Sequence, residues 1–511
     1  MKLPAPLPGA LDDDAASLEA SLLEDVAPPP PAKEDHTVAV VCACGAAVAA
    51  LVFGYSLGFS SPALPGMLGR QFRDVECDAN GASAAQASLW SAIINLGAAM
   101  GALAGGRLVD NIGRKGALLY VAGPLYVVAW AATARAHGPH MLISARVLLG
   151  GAVGISSVAV PVYVAETAPA SLRGALGSVT QLAVTLGILL AYVAGALAPH
   201  EVLEYACGHS RRGAARGAWR SLALLGATLG LCVVGAASLL PESPAWLVAK
   251  RRRAAAARAL TTLRGGDDAR AARDLDALVR STGGADDGLG VRVVLAALCG
   301  GGDAGVRRPL AIILMVMLFQ QFSGINAVIF YSGSLLASAG MANGDLGGVL
   351  VMAVQVLATG LALVLMDRLG RRVLLTGSLG GMAVAAALLA LHFVVDGLPF
   401  IALFALFLYI AAFSLGLGPV PWLLMGELLP TRARGAAASL ATVLNWSCSF
   451  LVTETFASLV AHIGSGGAFF GFACVCAVGA AYVAATVPET KGLRLDEVEA
   501  LFLGSTARRS I

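Results

Sequence analysis

The chain has 511 residues, 57% hydrophobic and only 13% charged, with a mean hydropathy of +0.77. A soluble domain carries about 25% charged residues, so a water-soluble globule is excluded. A net charge of +3, scattered in short clusters, gives no footing for nucleic acid.

Residues 1–36 are acidic and proline-rich, with LDDDAAS and the run Pro28 to Pro31. They lack the apolar core of a signal peptide and read as a disordered tail. The EASLLED stretch around Leu22 and Leu23 has imperfect acid spacing for a dileucine sorting signal and reads as chance. Apolar runs then fall near 38–61, 86–108, 117–136, 141–164, 175–198 and 219–240. After a polar stretch at 241–307 they recur near 308–333, 346–366, 373–395, 399–425, 435–459 and 467–487. About 20 apolar residues span a bilayer as a helix. The expectation is an all-α membrane protein of twelve helices in two halves, 37–240 and 308–487, with a helical linker at 241–307 and a tail at 488–511.

Lys and Arg orient it. Arg107, Arg114, Lys115, Arg173, the KRRR at 250–253, Arg307, Arg308, Arg368, Arg371, Arg372, Arg432 and Arg434 fall on one side, so that side and both termini are expected to be cytoplasmic. The outer group Arg211, Arg212 and Arg216 goes against the rule. The linker, rich in Ala, Leu and Arg, should form short amphipathic helices. Cys42, Cys44, Cys232, Cys448, Cys474 and Cys476 lie in apolar spans and read as small hydrophobes, not metal ligands. Cys77 and Cys207 share a predicted side, which leaves a disulfide between them open. The NWS at 445–447 matches a glycosylation pattern but sits in a helix.

The halves repeat. VDNIGRKGALL at 109–119 matches MDRLGRRVLL at 366–375, aligning Asp110 with Asp367, Gly113 with Gly370, Arg114 with Arg371 and Lys115 with Arg372. YVAETAPASLRG at 163–174 matches LLMGELLPTRARG at 423–435, aligning Glu166 with Glu427 and Arg173 with Arg434. PESP, with Glu242, is echoed by PETKG, with Glu489. Glycine allows a tight turn between helices, and the basic residues can fork onto the carboxylates. These groups are expected to form a network that closes the cytoplasmic face, as parallel repeats rocking about a central site require.

GRLVDNIGRKG, PVYVAETAPASLRGALGSVTQL, PESPAWL, QQFSGINAVIFYS, MDRLGRR, GPVPWLLMGELLPTRARG and VPETKG together resemble the sugar porter family of the major facilitator superfamily, from about residue 38 to 500. FGYSLGFSSPALPGM and GPVPWLLMGELLP resemble class III facilitative glucose transporters and the trehalose-transporter-like proteins. The resemblance implies a major facilitator fold and sugar transport.

LFQQFSGINAVIFYS at 318–332 places Gln320, Gln321, Ser323 and Asn326 inside an apolar span. On a straight helix Gln321 and Asn326 point about 140° apart, so a break at Ser323-Gly324 is expected to turn them together. Gln181, Gln355, Asn445 and Ser449 lie at comparable depth, and Trp422, Trp446 and Tyr331 supply rings. Such a neutral cavity suits a hydroxyl-rich neutral solute. The resemblance implies that Gln181, Gln320, Gln321, Asn326 and Trp422 contact a hexose. Gln355, Ser449 and Ser414 stand where the family often has other residues. Proline and glycine in GLGPVP at 416–421 are expected to unwind helix ten, and Gly54 and Gly58 to loosen helix one.

Proton-coupled sugar porters carry an aspartate in helix one beside an arginine of helix four. Here Ser56 stands in its place while Arg146 remains, which favours a uniporter of a neutral sugar, a hexose such as glucose. Arg146, in the outer half of helix four, is expected to snorkel or to pair with polar neighbours, and Glu454 to line an outer vestibule. The alternatives are a proton-coupled sugar symporter, a facilitated trehalose transporter, and a transporter-like sensor. No G-x-x-x-x-G-K-S/T loop, metal cluster or nucleophile–base pair occurs, so neither an enzyme nor a nucleotide-driven pump is expected. No cofactor is implied. The partners are a small neutral sugar and the bilayer of a plasma, endosomal or vacuolar membrane.

Overall fold

The computed structural model describes residues 36–68, 82–169, 172–197, 218–282, 287–300, 304–330, 344–395, 399–430, 433–493, 497–498 and 501–502. Cys77, Cys207, Tyr331 and the Arg211, Arg212 and Arg216 group lie outside them, as do the side chains of Arg173 and Asp367.

The described residues are helical, and eleven helices are long and apolar enough to cross a membrane. They are α1 (Thr37–Leu64), α2 (Ser88–Ile112), α3 (Arg114–Ala134), α4 (Pro139–Thr167), α5 (Gly174–Leu197), α6 (Trp219–Leu239), α7 (Ala304–Phe330), α8 (Leu346–Met366), α9 (Arg371–Val394), α10 (Phe400–Leu428) and the 53-residue Arg434–Thr486. The last is interrupted at Gly464, whose φ of 73° no α-helix accommodates. It is two spans, α11 (434–463) and α12 (465–486), making twelve. The outside is as apolar as the inside: Leu103, Leu357 and Phe400 are 67%, 73% and 87% exposed. Such a surface is stable only in lipid, and the chain is a multi-pass membrane protein.

Small residues let the spans approach at backbone contact. Gly97 and Gly101 on α2 lie against Val147 and Gly151 of α4, and Gly150 and Gly154 on α4 against Ile94 and Ala98 of α2; a Cβ on any of the four would strike the opposite main chain. Without a hydrophobic drive in lipid, such close packing is what holds helices together. Gly54 and Gly58 do the same against Val184 and Ile188 of α5. The helix is regular through Gly54, so that glycine packs α1 rather than loosening it, whereas directly after Gly58 the chain makes a turn at Phe59 before the helix resumes at Ser60.

Four short helices follow α6: Pro244–Ala249, Arg253–Leu263, Asp268–Thr282 and Asp287–Leu298. Ser243 caps the first by accepting from the Trp246 N–H. Trp246, Leu247, Ala256 and Ala259 form their small core. The Trp246 indole donates to the Asp110 carbonyl at 2.7 Å, and Arg264 pairs with Asp274 at 2.8 Å while donating to the Thr167 carbonyl. The linker thus docks on the ends of α2 and α4.

Candidate functional site

The polar stretch in α7 does break the helix. The first segment ends at Phe322, Gly324 takes φ +88°, and the helix resumes through Phe330. A Cβ at Gly324 would meet the Phe472 ring of α12, so glycine is required both for the turn and for the approach. The carbonyl of Ser323, freed by the break, accepts from the Tyr409 hydroxyl of α10. The Ser323 hydroxyl turns back onto the Gln320 carbonyl at 2.7 Å. α10 breaks too, between Leu415 and Val420. There the Leu417 N–H donates to the Ser378 hydroxyl of α9 at 2.9 Å.

Between the breaks runs a relay of carboxamides. Gln320 Nε2 donates to the Leu417 carbonyl at 2.7 Å and the Gly418 carbonyl at 3.3 Å. Gln320 Oε1 accepts from Asn445 Nδ2 at 2.7 Å. Asn445 Oδ1 accepts from Gln321 Nε2 at 2.9 Å. Gln321 Oε1 accepts from Asn326 Nδ2 at 2.7 Å, and Asn326 Nδ2 also donates to Ser449 Oγ at 2.6 Å. All five side chains are under 9% exposed, where an unmatched amide costs about 1–3 kcal/mol. The break at Gly324 lets Gln321 and Asn326, which diverge on a regular helix, bond each other.

Gln320, Gln321, Asn326, Asn445 and Ser449, all expected at the site, therefore form one hydrogen-bonded group. Gln355 of α8 is buried, and its Oε1 has no hydrogen-bond partner among the described residues. Gln181 of α5 and Trp422 of α10 are half-buried. Trp446 of α11 meets Phe53 of α1 edge-on, centroids 5.5 Å apart, and Tyr192 of α5 donates to the Ile329 carbonyl of α7 at 2.6 Å. Sequence reasoning missed Tyr409, Tyr192 and Ser378. A buried phenol needs a polar partner, and that was the signal available for the tyrosines.

The paired charge motifs occupy one end of the bundle. Arg114 forks onto Glu166, with Nε and Nη2 each 2.8 Å from a carboxylate oxygen, and reaches Asp110 at 3.4 Å. Arg371 reaches Glu427 at 3.0 Å. Glu166 also accepts from the Ser243 hydroxyl, and Glu427 from Thr490 at 2.6 Å. Glu242 and Glu489 do something the motif did not suggest. Each binds backbone N–H groups at a helix start: Arg114, Lys115 and Gly116 for Glu242, Arg371 and Arg372 for Glu489. The N-terminal orphan donors and the helix dipole both favour a carboxylate there. Gly113 and Gly370, at φ 91° and 88°, lead into these helices, and a Cβ on either would strike the capping carboxylate.

One expectation is corrected. The second basic residues do not fork onto carboxylates among the described residues: Lys115 Nζ donates to the Ser238 carbonyl and Arg372 to the Ala484 carbonyl. The described bonds of Arg114, Lys115, Glu166 and Glu242 lie within residues 109–243, and those of Arg371, Arg372, Glu427 and Glu489 within residues 366–491. Arg434 donates to the Leu429 carbonyl of its own turn at 3.1 Å.

Against this geometry, the model for the family described as "Sugar (and other) transporter" matches residues 41–502. The chain belongs to that family. Its members are transporters, and the fold is that of the major facilitator superfamily. The proton:xylose symporter XylE bound to 6-bromo-6-deoxy-D-glucose superposes with a TM-score of 0.77 at 25% identity, covering 91% of this chain and 99% of that one. The facilitated trehalose transporter Tret1 of Drosophila erecta is 36% identical over 92% of this chain, and that of Culex quinquefasciatus likewise. The chain spans about half of the first relative's length, 52%, and 87% of the second's.

In this sugar-transporter frame Arg146 is the outlying charge. It is 2% exposed and does not snorkel. It donates to the Ser56 carbonyl at 3.0 Å and to the Ser60 hydroxyl. Its guanidinium lies 4.6 Å from the Trp90 ring centroid and 5.9 Å from that of Phe59. No carboxylate pairs with it among the described residues. The Ser56 hydroxyl bonds the Val52 carbonyl of its own helix. Glu454 of α11 accepts from Ser88 of α2 through its backbone carbonyl at 3.2 Å, and its Oε2 has no partner among the described residues.

Proposed function

We propose that the protein carries a neutral sugar across a membrane by alternating access, without coupling to protons. The carrying observation is the carboxamide relay between the breaks in α7 and α10. It is an uncharged cluster of donors and acceptors where two helices are already interrupted, which matches hydroxyls and allows movement. Gln181, Gln355, Trp422 and Tyr331 complete the proposed site. The substrate reading follows the relatives: facilitated trehalose transporters at 36% identity favour trehalose over glucose. The basic residues at the end that bears the charge motifs favour a cytoplasmic placement for it.

Uniport follows from Ser56 and Arg146. A proton carrier needs a titratable group in the path, and Arg146 is matched by a carbonyl, a hydroxyl and two rings. The second reading, a proton symporter, has the likeness to XylE in its favour. Labelled trehalose and glucose uptake into proteoliposomes, with and without an inward proton gradient, tests both. Trehalose uptake that equilibrates and never accumulates is expected. Accumulation driven by the gradient would overturn uniport and direct attention to Glu454.

A further inference from the structure

The relay sorts its own members. The Leu417 and Gly418 carbonyls can only accept, so they compel Gln320 to present its Nε2 to them and its Oε1 the other way. That oxygen compels Asn445 to face it with Nδ2, whose other proton meets the Met317 sulfur at 3.3 Å. Asn445 must then offer Oδ1 to Gln321, which in turn offers Oε1 to Asn326. Every amide in the chain is oriented by the one before it. The orientation originates at the unwound segment of α10.

At the anchored end both amide protons of Gln320 and of Asn445 are committed. At the other end, among the described residues, one N–H of Gln321, Oδ1 of Asn326 and the hydroxyl proton of Ser449 are not. We infer that Asn445 is a positioning residue that sets specificity: it fixes which of its neighbours present a donor and which an acceptor to the solute, and does not itself touch the sugar. Gln321, Asn326 and Ser449 are the relay members it aims at the solute, offering donor, acceptor and donor. This rests on the sugar-transport reading and goes beyond it, because it ties the hydroxyl pattern the site accepts to the conformation of α10.

The test uses the full chain in proteoliposomes, with labelled trehalose as probe and glucose and its monodeoxy analogues as competitors. Wild type should discriminate glucose from at least one deoxy analogue. In Asn445→Leu, half-inhibition by glucose should rise about tenfold while that by the disfavoured analogue stays within about twofold, as a site loses its preference when its polar groups are no longer aimed. Gln320→Leu should give the same altered ranking, and the double variant should add nothing to either single, the mark of one connected unit. A merely structural role would scale all competitors equally. Retention of the wild-type ranking by Asn445→Leu, or additive effects in the double variant, overturns the inference. Where Asn445→Leu does not fold, Asn445→Ser, too short to reach Gln320, is read in the same way. Wild-type vesicles that neither take up nor bind any of these sugars would instead refute the transport reading itself.

Discussion

Arg146 shows how much a single residue can depend on surroundings that are not local in sequence. Its position in an apolar span left two outcomes open, reaching for the interface or pairing with polar neighbours, and it takes the second: Ser56 and Ser60 bond it, and Trp90 and Phe59 enclose it. Burying an unpaired guanidinium is costly, and a ring face returns about 2 kcal/mol when desolvated. Arg146→Met keeps the apolar stem and removes the charge, so the thermal unfolding midpoint in detergent should stay within a few degrees of wild type or rise. Arg146→Glu should unfold well below it. At the proposed sugar site, Asn326→Ala leaves Gln321 Oε1 and Ser449 without their amide partner. Uptake should fall about tenfold or more, the effect of about 1.4 kcal/mol at a buried polar contact.

The elements owe their ends to carboxylates and glycines. Burial alone would raise the pKa of Glu489, but backbone N–H groups of Arg371, Lys491, Arg372 and Thr490 outweigh it and hold the carboxyl below its usual range. A group with a depressed folded pKa stabilises fully above its unfolded value of about 4.3, and that stability is lost as pH falls through the folded value. Glu489→Gln should therefore lower the unfolding temperature at pH near 7, and the gap to wild type should close as the pH is taken below about 4. In α7, Gly324→Ala combines a positive φ with a clash against Phe472. Backbone strain of this kind costs about 1–3 kcal/mol, and labelled-sugar uptake should drop accordingly while the protein still reaches the membrane.

At the scale of the molecule, the charge motifs tie three helix ends together in each half: the starts of α3 and α9, the ends of α4 and α10, and the segments after α6 and α12. Such ties would hold the helix ends of each half together during the alternating access proposed above. Among the described residues the halves also meet directly: α2 packs along α11 and α5 along α8, with hydrogen bonds from Tyr192 to the Ile329 carbonyl, Ser88 to the Glu454 carbonyl and Asn95 to Thr453, and an edge contact of Phe53 with Trp446. Glu427→Gln should accordingly lower thermal stability while leaving the half-saturation concentration for sugar within about twofold, since uniform loosening of one half removes no contact to the solute. A large shift in that concentration would mean the motif latches the halves after all.

The sequence by itself determined the class, the count of spans, the doubled motifs and the break in α7. Those follow from runs of about 20 apolar residues and from short-range patterns such as a glycine beside carboxamides, which act within a few residues. Only the tertiary structure decided that Glu242 and Glu489 cap helices, that Arg146 is enclosed, and that Asn445 lies between Gln320 and Gln321. Each of these depends on which donor faces which acceptor across 90 or more residues of chain. The periodicity of a helix says what shares its face, and nothing of what is brought against it.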